Sequence, residues 1–294
     1  LVPIALMGHV RCLNGNKKGL HLLILASMSF FLGNFIIIPT LPLYILSLGA
    51  SKLELGLLMA ISSVVVIVGR IPSGIVSDRI GKWPILVFAL IVQSASFVLH
   101  FFVQSIVWLY PLRIFNAIAW TCFNPAGIAL ASDMTPPSQR GATMGLYLTS
   151  VGSAMMVGPL INSLVIEAVG YRQLFLLTAP FPLFGLIAFA LAMKGEASKG
   201  RPTGKTVNAY PKGDDSISAL SGIVRSRTVS AISLARLTFS TADGIFSTLF
   251  AIYAAYDLSI APPLISLLFT LRGVTNTIVR LPAGKISDKV GRKK

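Results

Sequence analysis

Charge is scarce in this chain. Only 12% of its 294 residues are Asp, Glu, Lys or Arg, and just ten of them are acidic, whereas charged residues make up about a quarter of an ordinary soluble domain. Two cysteines, Cys12 and Cys122, are too few for a disulfide scaffold, and with three histidines no His/Cys spacing suits a metal. No nucleophile with a neighbouring base falls in the apolar stretches, so an enzyme is not expected, and neither is a cofactor. The chain is instead 54% hydrophobic, with a mean hydropathy of +0.78. That composition belongs in a lipid bilayer. The net charge of +15 does not indicate a nucleic-acid partner, because its basic residues sit in short gaps between apolar blocks instead of clustering on one face.

About 20 apolar residues cross a hydrocarbon core of about 30 Å. Eight such spans can be drawn, at 20–46, 54–76, 84–104, 106–131, 142–166, 172–193, 229–253 and 263–284. The first is too long for a cleaved signal. No alternating barrel pattern appears, so the fold class is an all-α polytopic membrane bundle. Basic residues mark the cytoplasmic side. The segments 1–19, 77–83, 132–141, 194–228 and 285–294 carry 3, 2, 1, 7 and 5 of them, whereas the opposite loops offer only Lys52 and, at a span mouth, Arg172. This predicts a cytoplasmic N-terminus and tail. The polar stretch 194–228 reads as a cytoplasmic linker between a six-span bundle (20–193) and a two-span segment (229–294), with 1–19 as a cytoplasmic lead. Its "GRPTGKT" is not a phosphate loop, since the glycine spacing is wrong and no strand precedes it.

The string "RIPSGIVSDRIGKW" (70–83) returns as "RLPAGKISDKVGRK" (280–293). At an offset of 210, Arg70, Pro72, Gly74, Ser77, Asp78 and Gly81 match Arg280, Pro282, Gly284, Ser287, Asp288 and Gly291. At an offset of 209 the preceding spans align as well, with Phe30 on Phe239 and Tyr44 on Tyr253. Both copies close their second span on the same side. The chain is therefore a parallel repeat, a symmetry that transporters use. In this loop Gly74 lets a helix approach closely, Asp78 accepts charged hydrogen bonds where the chain leaves lipid, and Gly81 permits a tight turn. Arg79 and Lys82 hold the turn in the cytoplasm.

The doubled pattern Gly-x-x-x-Asp-(Arg/Lys)-x-Gly-(Arg/Lys) occurs as Gly74, Asp78, Arg79, Gly81, Lys82 and again as Gly284, Asp288, Lys289, Gly291, Arg292. It resembles the signature loop of the major facilitator superfamily, and "LPLYILSLGAS", "DMTPPSQRGATMGL" and "GYRQLFLL" resemble that family too. The resemblance runs from about residue 20 to the end. It implies a transporter whose signature loop latches two halves on the cytoplasmic face, with Arg140 as the local partner of Asp78. The family has twelve spans, so the chain reads as stopping after the eighth, and its first Met, Met7, leaves the start uncertain.

Charged groups inside spans are costly and default to function. Asp243 lies about 14 residues into the seventh span, roughly 21 Å along it at 1.5 Å per residue. Its repeat counterpart is Asn34. The resemblance implies that this pair lines the central cavity from both halves, and a carboxylate there is suited to carrying a proton. A structural ion pair with Arg236 or Arg272 is the alternative. Arg113 with Leu109 and Asn116 resembles the family's fourth-helix pattern, with Ala117 in place of a glycine, and its guanidinium needs a partner such as a cavity anion. Gln93 and the lone His100 are weaker candidates. In the fifth span Gly145, Gly158 and Pro159 resemble the drug-exporting branch, although Ala154, Asn162 and Ser163 depart from its glycines. Small residues there also allow close packing whatever the direction of transport.

The expected function is thus secondary active transport of a small molecule, a drug or metabolite, by alternating access in the cell membrane, with proton-coupled efflux the leading direction. The partners are the substrate, protons and the lipid bilayer. An uptake symporter of the same family, or a non-transporting remnant or membrane partner protein, is the alternative.

Overall fold

The computed structural model describes residues 17–136, 139–197 and 240–290 and the isolated positions 231, 234 and 238; side chains are not described at 17, 192–197 and 279–290. Every regular element among them is helical. Helix α1 spans Lys17–Ile37, α2 Leu41–Ser47, α3 Lys52–Ile80, α4 Lys82–Phe102, α5 Ile106–Asp133, α6 Arg140–Thr178 and α7 Pro180–Ala197. Beyond them come a π-helical turn at Phe246–Phe250, α8 at Ala251–Tyr256 and α9 at Pro262–Val290.

The single span drawn at 20–46 is two helices. Pro39 and Pro42 lack the amide hydrogens that would continue the ladder, so α1 stops and α2 restarts after a turn. The α3 helix is nucleated by a full capping box. Ser51 accepts from the amide of Glu54 at 3.2 Å, and the Glu54 carboxylate accepts from the amide of Ser51 at 2.8 Å. It also runs further than drawn, through Ile80, so the basic loop shrinks to one residue, Gly81, at φ 95°. That left-handed value suits glycine. The fifth and sixth spans are parted at Gly170, φ 78°, inside α6, and the sixth breaks again where Pro180 opens α7. The latter continues to Ala197, into the start of the stretch drawn as a linker, the rest of which lies outside the described residues.

Five helical segments are long and apolar enough to cross a membrane among the described residues, the last running from Arg140 to Leu191 across the Gly170 break. The interior of the first six spans is built on α1, which packs against α6 and α7, while α5 lies against α3 and α4. Aromatic rings fill the centre. Phe30 stacks on Phe123 with centroids 3.9 Å apart, and Phe31 meets Trp120 edge-on at 5.2 Å, a geometry that adds about 0.5–1.5 kcal/mol per pair beyond burial. In contrast, α3 shows Val64, Ile67, Val68 and Ile71 on its surface. Such a face is stable only against lipid or another helix.

Glycines set the tightest crossings. A Cβ on Gly158 of α6 would stand 2.7 Å from Phe35 Cβ and 2.9 Å from the Ile36 nitrogen, so α1 and α6 touch backbone to side chain. One on Gly273 of α9 would stand 2.7 Å from the Met155 carbonyl oxygen. Helix α9 therefore lies directly on α6, joining the region after the polar stretch to the region before it.

Candidate functional site

The residues singled out in the sequence fall into four places. The first is the Gly81 junction. Here Asp78 and Arg79 are exposed in the last turn of α3, and Arg140, opening α6, is exposed too. No ion pair joins Asp78 to Arg140 among the described residues. Instead Lys82, at the start of α4, is paired with Asp133 at the end of α5. Among the described residues no helix approaches Gly74 closely, since a Cβ there would meet nothing within 4 Å. In the second copy Gly284, Asp288 and Lys289 lie on α9, with side chains not described, and Gly291 and Arg292 are outside the described residues.

The second place is Asp243 of the seventh span, for which an ion pair with Arg236 or Arg272 is the alternative to a role in the cavity. Asp243 is ion-paired with Arg272 of α9. Three side chains of one face converge on that guanidinium: Asp243, Phe246, whose ring centroid is 4.7 Å from Arg272 Cζ, and Ser247, whose hydroxyl accepts from Arg272 Nη1 at 3.3 Å. Positions i, i+3 and i+4 of a helix lie on one face, and here the π-helical turn opens beside them. The Asp243 side chain is 42% exposed among the described residues and that of Arg272 24%. Arg236, the other partner considered, lies outside the described residues.

Asn34, the repeat counterpart of Asp243, makes its contacts within the first bundle. Its side chain is buried, donates to the Phe30 carbonyl at 2.9 Å and accepts from Gln93 Nε2 at 3.3 Å. Its amide oxygen thus faces Gln93 of α4.

The third place surrounds Arg113 on α5. Its Nη2 reaches only the sulfur of Met59, at 3.6 Å, and its buried Nε has no hydrogen-bond partner. Asn116, three residues on, is half-buried. Nearby His100 is a packing residue: its ring stacks on Phe175 at 4.7 Å, and Nδ1 lies 2.6 Å from the Ser96 carbonyl.

The fourth place is the fifth-span motif. Gly158 and Pro159 are buried, with Gly158 against α1, while a Cβ on Gly145 would be in open space. Four residues beyond Gly158 is a group the sequence reading passed over as a departure from pattern. Asn162 is fully buried, donates to the Ile36 carbonyl at 2.5 Å and to Thr40 Oγ1 at 3.0 Å, and accepts from Ser266 of α9 at 2.7 Å. An Asn within an apolar span must find partners, and that was the available signal.

An apolar cavity of about 540 Å³ opens elsewhere, between α3, α4 and α5, lined by residues such as Val65, Gly69, Phe88 and Cys122. It contains none of the predicted residues, and its lack of charged groups suits lipid chains better than a coupled substrate.

The family model for the Major Facilitator Superfamily matches residues 23–294. Over 160 residues the chain is 27% identical to the multi-drug resistance efflux pump PmrA of Streptococcus pneumoniae, covering 51% of this chain and 40% of that one. Over 253 residues it is 24% identical to the quinolone resistance protein NorA of Staphylococcus aureus, covering 85% and 62%. The chain thus spans roughly two fifths to three fifths of these relatives' length. Among solved structures, a bacterial homolog of the human lysosomal transporter Spinster, inward-facing and unoccupied, superposes with a TM-score of 0.71 at 17% identity, covering 95% of this chain and 64% of the other. A peptide transporter POT bound to sulfate gives 0.68 at 16% identity, covering 94% and 70%. Matched by the family model over nearly its whole length and folded as its transporters are, the chain belongs to the Major Facilitator Superfamily of membrane transporters.

Proposed function

We propose that the protein is a proton-coupled exporter of small amphiphilic molecules, drugs or metabolites, in the cell membrane, with its N-terminus in the cytoplasm. The observation that carries the reading is the Asp243–Arg272 ion pair, which links two spans after the polar stretch. Protonation of the carboxylate cancels the pair and frees the guanidinium, which gives the two spans a reason to move. Alternating access needs such a charge-dependent link between a site and a rocking bundle. The direction rests on the export named for PmrA and the resistance named for NorA, and on the partial fifth-span pattern at Gly145, Gly158 and Pro159. Arg113, a cation with no acidic partner among the described residues, supplies a second polar anchor for the substrate. The excess of basic residues in the segments predicted to be cytoplasmic supports the orientation.

Everted membrane vesicles test this directly. With ethidium as the probe, an acid-inside gradient drives dye uptake into vesicles carrying the wild-type protein, and Asp243→Asn reduces it at least tenfold at equal protein level. Dye movement indifferent to the gradient, or unaltered in Asp243→Asn, refutes the coupling, and movement in the opposite sense makes the protein an importer.

A further inference from the structure

We infer that Asn162 is a clasp between the two halves, closing the end of the molecule at which α1 terminates, and that release of its bond to Ser266 is a required step of opening that end. The inference rests on alternating access as proposed above.

Its origin is the break in α1. In an unbroken helix the Ile36 carbonyl accepts from the amide of residue 40, but Thr40 donates to Ile37 instead, at 3.1 Å. The Ile36 carbonyl is left without its helical partner in a dry environment, a costly state. The amide of Asn162 fills the gap from α6 and also donates to the Thr40 hydroxyl. Both amide hydrogens are then committed to the first half, which fixes the carbonyl oxygen of Asn162 pointing toward α9. The Ser266 hydroxyl, four residues into that helix and fully buried, donates to it at 2.7 Å.

The two sides of this bond differ in what they lose when it breaks. Ser266 has a second acceptor at home, the Pro262 carbonyl at 3.0 Å. Asn162 Oδ1 has no other donor among the described contacts, so separation leaves a buried acceptor unpaired until water enters. Such an asymmetry makes intermediate openings unfavourable and the closed and hydrated states favourable. Apolar packing surrounds the same end: Leu43 of α2 is buried with Ala251 and Ala254 of α8 and with Ile265 and Phe269 of α9. These contacts exclude water but lack direction, whereas the Asn162–Ser266 bond has a defined geometry that is either made or lost.

The test reads accessibility in place of transport. Ala254→Cys, in a Cys12→Ser, Cys122→Ser background, places a thiol inside the apolar cluster, and a hydrophilic maleimide reports how often that end opens in detergent micelles. Ser266→Ala is expected to speed labelling about fivefold, the population shift worth one ordinary hydrogen bond. Ser266→Thr, which keeps the hydroxyl, returns the rate to that of Ser266. Ser94→Ala removes a buried bond made wholly within the first half and away from the clasp, the one its hydroxyl donates to the Ala179 carbonyl at 2.9 Å, and leaves the rate unchanged. Labelling of Ser266→Ala at the starting rate overturns the clasp, as does an equal acceleration by Ser94→Ala, which would mark general loosening. Neither substrate nor gradient enters the assay, so the clasp can fail while the export reading stands, or the reverse.

Discussion

Lys82 and Asp133 form an ion pair between the first residue of α4 and the last residue of α5. The pair ties the Gly81 junction to the neighbouring hairpin at the end predicted to face the cytoplasm. Asp78 and Arg140, the partners implied by the resemblance, lie at the same end of the bundle and are exposed.

Because Asp133 is about half exposed, the bond stabilises the fold only modestly, by no more than about 1 kcal/mol. We expect Lys82→Ala to lower the melting temperature in detergent slightly, with the effect fading in high salt, and the exchange Lys82→Asp with Asp133→Lys to restore it. A loss that persists at high salt would mean that Lys82 acts through something other than this pair.

The two glycines of the fifth-span pattern separate cleanly. Gly158→Ala forces a methyl into the Phe35 and Ile36 backbone and should cost about 1–3 kcal/mol. Gly145→Ala meets open space and should be neutral or stabilising by up to about 1 kcal/mol. Thermal unfolding of the two variants side by side checks this, and equal effects would contradict the packing described.

Gly273→Ala provides the matching test on α9. Its Cβ would run into the Met155 carbonyl and Met156 Cα, atoms that cannot rotate away. The α6–α9 seam should widen, seen as a lengthened spin-label distance between the two helices, with transport impaired even where the protein remains folded.

Arg113→Lys is expected to behave as a loss of function despite the retained charge. The planar guanidinium reaches Met59 and still presents further donors, while an ammonium is a compact, strongly hydrated point charge. Dye transport at equal protein level is the measurement, and wild-type rates would remove Arg113 from the substrate path.

Much of this architecture was legible in the sequence because lipid imposes long apolar runs, and because the 70–83 string recurs where a second span should end. The breaks were harder to read. Pro39 and Pro42 were visible, yet an apolar stretch of 27 residues masked the turn between α1 and α2. Asp243 was found because a carboxylate in a span is conspicuous, and Arg272 was one of two partners considered for it. The Asn34–Gln93 contact was not legible because the repeat relates Asn34 to Asp243 and says nothing of its neighbours across the bundle. Asn162 was passed over because a comparison with a pattern registers the missing glycine before the amide that replaces it. Lys82 and Asp133 lie 51 positions apart, so only the hairpin of α4 and α5 brings them together.

The single-residue junction at Gly81 has a mechanical consequence. Two helices of 29 and 21 residues meet there with no slack between them, and the Lys82–Asp133 pair pins the second to α5. Any change in the angle between α3 and α4 therefore has to be taken up at one pair of dihedral angles, those of a residue with no side chain to restrict them.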